Sequence, residues 1–481
     1  MLFNKERIHE WTTDQLFASA TLGTYQTCGI CIPFFHNWRQ TFTTVTCHPK
    51  AFEHILRTRF NNYPKGPTWK NTFHDHVRGS QGTVDFTKEN SGSRLSKLKL
   101  IPTLYNWVNP TIKNGLLPIL DKATKQSISV DLEDLKIRFG TDNIFGLALG
   151  KKLKTLNTQV TPEDELVALA IDTTIKSFFK RLFYPNFVLN FMRFFSIGSE
   201  QSLKKSLQVL NNYITESLEE RNNRNDETFD DYDFLWTLMK KVKVNGPGHI
   251  LSSSDIMIST IVDILLGDHN SVATSASWFF WLVMNNSHVG KKIVDEISTI
   301  LKKNGGKDGD GSKITNSIES PCGEETQEWI EEPLSYEEIN SFVYLHVTLL
   351  ETLRLYPSFP RIVRYVTSDD ILPGGTFLDD ICVCGEDFLE FKPERCLSDD
   401  ETKIERREDG YMIAAFNGGS RTCIGKYLSF LEMKSAASAI LLRYKLCPVL
   451  GHQVVPKPFF TLSMKNGLKV NLKRRDLAAI L

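Results

Sequence analysis

Apolar positions recur every three to four residues over most of the stretch from about residue 110 to 300, the spacing that lines one face of a helix. "IKNGLLPILDKATKQ", "LEDLKIRFGTDNIFGLALG", "DELVALAIDTTIKSFFKRLF" and "EQSLKKSLQVLNNYITESLEERN" are successive helical segments, and "SWFFWLVM" at 277–284 continues the pattern. Residues 23–47, "GTYQTCGICIPFFHNWRQTFTTVTC", instead mix aromatic and β-branched residues around a polar turn at "FFHNWRQ", which predicts a strand pair. "HPKAFEHILRTRF" then returns to helix. "SYEEINSFVYLHVTLLETLRLYP" predicts one helix, opened by a Ser335/Glu338 capping box and stopped at Pro357. Residues 302–329 are glycine-rich, polar and without period, a surface loop and not a domain boundary. The fold class is therefore mainly α with a small β-rich part, and no internal repeat interrupts it.

Composition narrows the function classes. The 481-residue chain is 41% hydrophobic, with 57 basic residues against 57 acidic ones. Nucleic-acid binding needs a surplus of positive charge, so no nucleic-acid partner is expected. Thirty-one phenylalanines can furnish a large core or an apolar pocket. The nine cysteines are odd in number and scattered, unlike a secreted disulfide framework, and Cys28 with Cys31 has no second pair at zinc spacing. No run of about 18 apolar residues is present, so the chain as written carries no membrane anchor.

Two clusters carry candidate chemistry. Glu351 and Arg354 stand three apart on one helix face, among Leu349, Leu350, Leu353 and Leu355. An exposed pair would stabilise by only ~0.3–0.5 kcal/mol, whereas a buried one needs a further partner, for which Arg395 in "FKPERC" is available. In "FNGGSRTCIG", Cys423 follows Gly418 and Gly419 and precedes a predicted helix, with Arg421 two residues away. An unpaired cysteine is more often buried filler than a reactive group. Here the helix N-terminus and Arg421 are expected to favour a thiolate, which can be a nucleophile, a redox sensor or a metal ligand. No histidine base lies nearby in sequence for thiol catalysis. A haem ligand needs one cysteine, a cation for the propionates and glycines that admit a flat macrocycle.

"FNGGSRTCIG", with Phe416, Gly419, Arg421, Cys423 and Gly425, resembles the haem-binding signature of the cytochrome P-450 superfamily, the haem-thiolate monooxygenases. "ETLR" resembles its ExxR motif and "FKPERC" its Pro-Glu-Arg segment. "TCHPKAFEHILRTRFNNYPKGPTWK", "SWFFWLVMNN" and "LLETLRLYPSFP" look like the plant long-chain fatty-acid omega-hydroxylases. The resemblance implies one haem-thiolate domain over residues 1–481, with Cys423 as ligand to the iron of haem b. It implies Glu351, Arg354 and Arg395 as a structural cluster, and Arg421 and Arg364 as propionate partners. It also implies a fatty-acid substrate, molecular oxygen, electrons from NADPH through a reductase, a monomer, and the endoplasmic reticulum membrane.

The chain departs from that pattern in places. Ungapped alignment lays "GDHNS", residues 267–271, over the family's Ala-Gly-x-Asp-Thr, so Asn270 replaces the acid and Ser271 the threonine in the oxygen-handling position. The hydroxyl survives, but an amide cannot relay a proton as a carboxyl does. Asp268 falls on the groove glycine, where it is expected to crowd or polarise the oxygen pocket. A Trp-x-x-x-Arg helix, which in the family holds a propionate, is not found, and the segment between "GGTFL" and "CGEDFLEFKPER" is short. Two readings compete with hydroxylation: a non-catalytic relative with impaired haem binding, and a thiol enzyme using Cys423. "IKSFFKRLFYPNFVLNFMRFF", residues 175–195, reads either as two core-packed helices or as an apolar entrance resting on a membrane.

Overall fold

Helices carry most of the chain in the computed structural model, which describes residues 24–28, 42–73, 100–157, 160–223, 254–305, 334–373, 390–398, 413–457 and 459–480, with Asp14, Lys403 and Ile404. The expected strand pair forms: β1 (Thr24–Cys28) runs antiparallel to β2 (Phe42–Thr46), with Thr24 opposite Thr46. Its turn lies outside the described residues, as does the stretch read for a Trp-x-x-x-Arg helix.

The His48 side chain caps α1 (Pro49–Glu53), and α2 (Gly66–Thr72) follows. Next come α3 (Leu100–Thr111), α4 (Leu117–Lys125), the short β3 (Val130–Asp131) and α5 (Leu132–Leu149), the last capped by the Asp131 carboxylate. A second helical group comprises α6 (Pro162–Arg181), α7 (Asn186–Phe195) and α8 (Gly198–Asn223). Two helices in line, α9 (Ser254–Asp268) and α10 (Ser271–Asn285), precede α11 (Ser287–Gly305). The helix α11 runs four residues into the stretch predicted as loop, because its apolar stripe continues through Ile297, Ile300 and Leu301.

The core is built around α10, whose Trp278, Phe279 and Phe280 are each no more than 1% exposed. Trp278 stacks on Tyr356 at 4.0 Å between centroids, and its indole N–H donates to the Leu462 carbonyl at 2.5 Å. Around it lie α5, α12 (Tyr336–Ser341), α13 (Tyr344–Leu355) and α14 (Lys426–Arg443). After α14, β4 (Tyr444–Pro448) pairs antiparallel with β5 (Lys469–Arg474), which pairs antiparallel with β3. Alternation accounts for this sheet: Tyr444, Leu446, Val470 and Leu472 face inward and their neighbours do not.

One expectation is corrected. The helix predicted from Ser335 to Pro357 is two helices, although the Ser335/Glu338 capping box forms. Phe342 is extended, with φ −66° and ψ 110°, and the Lys434 ammonium takes its carbonyl at 2.9 Å. The Glu296 carboxylate then accepts from the N–H groups of Val343, Tyr344 and Leu345 at 2.7, 2.7 and 2.9 Å. A carboxylate at a helix start satisfies donors that the helix itself leaves open. Glu296→Ala removes that acceptor, and we expect a stability loss of about 2–3 kcal/mol, read as a lower urea midpoint.

Candidate functional site

The interior of α13 presents Glu351, whose carboxylate has no exposed surface. Arg354 Nε and Nη2 donate to it at 2.7 and 2.9 Å, and Arg395 Nε at 3.0 Å. The Lys392 backbone N–H, a donor that the sequence gives no means to foresee, adds a fourth bond at 3.0 Å. Three donor groups from two segments thus surround one anion, which is how a buried charge offsets its desolvation.

The loop from Ile413 to Gly425 folds back on itself. The Cys423 N–H donates to the Phe416 carbonyl at 2.7 Å, and the Phe416 ring packs on Phe430 of α14 at 5.3 Å. Gly419 has φ +59° and Asn417 +57°, backbone angles that glycine and asparagine adopt more readily than other residues. A Cβ at Gly425 would stand 3.8 Å from the Cys423 sulfur, so the backbone there passes close beneath the thiol. Cys423 is solvent-exposed, yet dense protein surrounds it, so the surface it shows faces a recess.

The expected thiolate is corrected at this point. Burial pushes the Cys423 thiol up by more than the Gly425 and Lys426 N–H groups lower it, and the Asp268 carboxylate adds to the rise. Arg421 gives no help, because its Nη1 donates to the Tyr63 carbonyl at 2.6 Å and its guanidinium lies 4.0 Å over the Phe60 ring. The stabilisation that the Gly425 and Lys426 N–H groups offer a free thiolate is outweighed here, whereas coordination to a metal deprotonates a thiol outright.

The α9–α10 line is broken at His269 and Asn270. The His269 ring is anchored to the Thr141 hydroxyl of α5 at 2.9 Å, and burial holds it neutral with a pKa lowered to about 4. Asn270 takes the position before α10, where its side chain forms no cap. The Ser271 hydroxyl bonds back to the Gly267 carbonyl at 2.8 Å, the kind of bond that opens a helix ladder. Gly267 is exposed, and a Cβ on it would meet nothing within 4 Å. Open space therefore lies at Gly267. Asp268, expected to crowd that space, turns inward instead: it is buried, 3.8 Å from the Cβ position of Gly140, with its carboxyl pushed up to about 7 by burial.

At one edge Arg364 donates from Nη2 to Asn417 Oδ1 at 3.2 Å, while its buried Nε has no partner. Burial and the nearby Arg421 lower its pKa to about 10. A sulfur facing a recess, close-passing glycine backbone and a guanidinium donor left open all fit a haem with its propionates at the arginines.

Comparison with known proteins agrees with this geometry. The sequence model of the cytochrome P-450 family matches residues 33–383 and 387–472. The chain is 31% identical to cytochrome P-450 86B1 of Arabidopsis thaliana, covering 98% of this chain and 83% of that protein. It is 29% identical to the alkane hydroxylase MAH1 of Arabidopsis thaliana, over 99% and 91% of the two chains. Cytochrome P-450 94A1 of Vicia sativa is 26% identical, over 90% and 82%. Among solved structures, the haem domain of cytochrome P-450DA superposes with a TM-score of 0.68 at 12% identity, over 97% of this chain and 93% of that one. A second cytochrome P-450 crystal structure gives 0.69 at 17% identity, over 97% and 98%.

Two outcomes follow from the buried charges. Glu351→Gln leaves two guanidiniums facing a neutral amide, and a loss of about 3–5 kcal/mol is expected, seen as loss of soluble, cooperatively unfolding protein. The folded pKa of Asp268 lies above its unfolded value, so folding favours its proton and stability falls as pH rises from about 4 to about 7. Asp268→Asn should therefore raise the urea midpoint at pH 8, with a gain that shrinks toward pH 5.

Proposed function

Because the chain belongs to the cytochrome P-450 family of haem-thiolate monooxygenases, we propose that it hydroxylates fatty-acyl chains at or near the omega carbon, with Cys423 as the residue that would hold the iron of haem b. The observation that carries this reading is the exposed Cys423 in closely packed surroundings, with the Cβ position of Gly425 3.8 Å from its sulfur and open space at Gly267. When bound, the haem supplies oxygen activation, using electrons that reach members of this family from NADPH through a reductase. The protein's own part is positional. Gly425 brings backbone close to the ligand sulfur, Gly419 supplies the left-handed turn of the loop, Phe416 fixes the loop on α14, and Glu351, Arg354 and Arg395 hold the wall behind it.

Asn270 and Ser271 stand where oxygen would be handled. The Ser271 hydroxyl, now donating to Gly267, can turn to hydrogen-bond a ligand in the open space, while the Asn270 amide can orient water without carrying a proton. Proton delivery then depends on water ordered by these two groups. A long apolar substrate is supported by the aromatic wall where Phe179 meets Phe459 and Phe460 at 4.9 and 5.4 Å and Phe73 meets Phe178 at 5.0 Å. The alkane hydroxylase relative acts, by its name, on a substrate of the same character.

For location, we read the endoplasmic reticulum membrane surface. No helix among the described residues is long and apolar enough to cross a membrane. On α7, however, Phe187, Phe191, Phe194 and Phe195 are exposed, Phe194 at 83%, so of the two helices in residues 175–195 only the end of α6, with Ile175 and Phe178 buried, is core-packed as the plainer reading expects. Aromatic rings on one amphipathic helix suit the interface between headgroups and acyl chains.

The test of the main reading is the carbon monoxide difference spectrum of the reduced protein, expressed with a haem precursor. A thiolate-type Soret band that Cys423→Ala abolishes, with NADPH-dependent oxidation of long-chain fatty acids by the wild type, is expected. Folded protein without that band overturns the reading and leaves a non-catalytic relative. For location, Phe191→Ser with Phe194→Ser should lower co-sedimentation with phospholipid vesicles several-fold without changing the spectrum.

A further inference from the structure

The loop that leads into α2 carries a lysine no motif singles out. Its backbone is strapped on both sides: the Tyr63 carbonyl accepts from Arg421 Nη1 at 2.6 Å, and the Pro64 carbonyl from the Tyr365 N–H at 2.9 Å. The Asn62 carbonyl adds a bond from the Thr367 N–H at 3.1 Å. Gly66 completes the clamp with φ +81°, and a Cβ there would fall 2.3 Å from the Tyr365 Cβ. Lys65 is therefore held between the segment that carries Arg364 and the loop that carries Arg421. Its ammonium lies 3.9 Å over the Trp69 ring of α2.

The three cations are close enough to act on one another. Burial first, and then the charges of Arg364 and Arg421, lower the Lys65 pKa to about 8 against the opposing pull of Asp263. No opposite charge is found to act in this way on Arg364 or Arg421, and the buried Arg364 Nε lacks an acceptor. Three positive charges against one carboxylate leave two uncompensated among the described residues. Like charges gathered in a partly buried place cost free energy unless anions join them, and haem b brings two carboxylates.

We propose that Lys65 binds a haem propionate, as the third cation of a Lys65–Arg364–Arg421 cradle that stands in for the Trp-x-x-x-Arg helix not found in the sequence. The inference rests on the haem reading above and extends it to a residue outside the haem-binding signature, the ExxR motif and the Pro-Glu-Arg segment. Trp69 holds the ammonium from its far side, and the strapped backbone fixes its approach.

The test loads the full-length protein with haem or with haem dimethyl ester, which lacks the carboxylates, and measures transfer to excess apomyoglobin. Lys65→Met should speed haem loss about tenfold, Lys65→Arg should restore most of the retention, and both should match the wild type with the dimethyl ester. Equal haem loss from wild type and Lys65→Met overturns the inference while leaving Cys423 ligation intact. Faster loss of haem and ester alike also overturns it, because Lys65 would then be structural. A wild type that takes up neither overturns this inference together with the haem reading.

Discussion

The site depends on one buried anion. Glu351 is surrounded by Arg354, Arg395 and the Lys392 N–H, and these partners come from two segments more than thirty residues apart. Any partner removed leaves a desolvated charge, so the cluster resists partial opening and ties the 390–396 segment to α13. The attachment extends outward, since Glu394 accepts from the Tyr344 hydroxyl at 2.7 Å and from Lys292 of α11 at 2.9 Å. The α13 axis is fixed at its start by Glu296 and at its end by the Trp278–Tyr356 stack. The chain leaving that end meets α10, where the Ser358 hydroxyl donates to the Ser271 carbonyl at 2.7 Å, and runs on to Arg364. Arg364 and the oxygen-side groove are thus positioned from the same anchored helix.

Charge is sorted around the recess. Cations collect at its rim, while the groups on its inner side favour neutral forms. The raised thiol of Cys423 belongs to this arrangement: a thiolate beside Asp268 would be costly without a compensating cation. A ligand that brings positive charge at its centre and carboxylates at its edge matches both requirements at once. That complementarity is a property of the pocket as a whole, and no single motif carries it.

The sequence made legible what is local. The Ser335/Glu338 box, the β1–β2 pair and the Cys423 loop all follow from residues near one another in the chain, whereas the strands β4 and β5 are not read from it. Features set by distant partners were hidden. The break at Phe342 needs Glu296 and Lys434, from helices far away in the chain. Arg421 was read as a partner of the thiol, but it is drawn to Tyr63 and Phe60, over 350 positions earlier. The break after Asp268 could have been suspected from three consecutive polar residues, Asp268, His269 and Asn270, in an otherwise apolar helical run. The direction in which each side chain turned could not, because it depends on Thr141 and Gly140 of α5.

The inward turn of Asp268 places it in company that explains how the core tolerates it. Glu432 of α14 is buried with both carboxylate oxygens unpartnered, and Lys136 of α5 is buried with its nitrogen unpartnered. Burial raises Glu432 and lowers Lys136 to about 7, and the charge of Asp268 raises Glu432 further. Each shift favours the uncharged form, so the least costly state of this group carries little net charge near neutral pH. The Lys136 nitrogen itself lies over the Phe139 and Phe280 rings, 5.1 and 5.2 Å from their centroids, so its surroundings are apolar and favour the neutral amine. The same low polarity that neutralises these groups strengthens every interaction of the Glu351 cluster, where partners are complete. One core therefore accommodates two solutions to buried charge: full pairing behind the ligand loop, and neutralisation beneath the helix break.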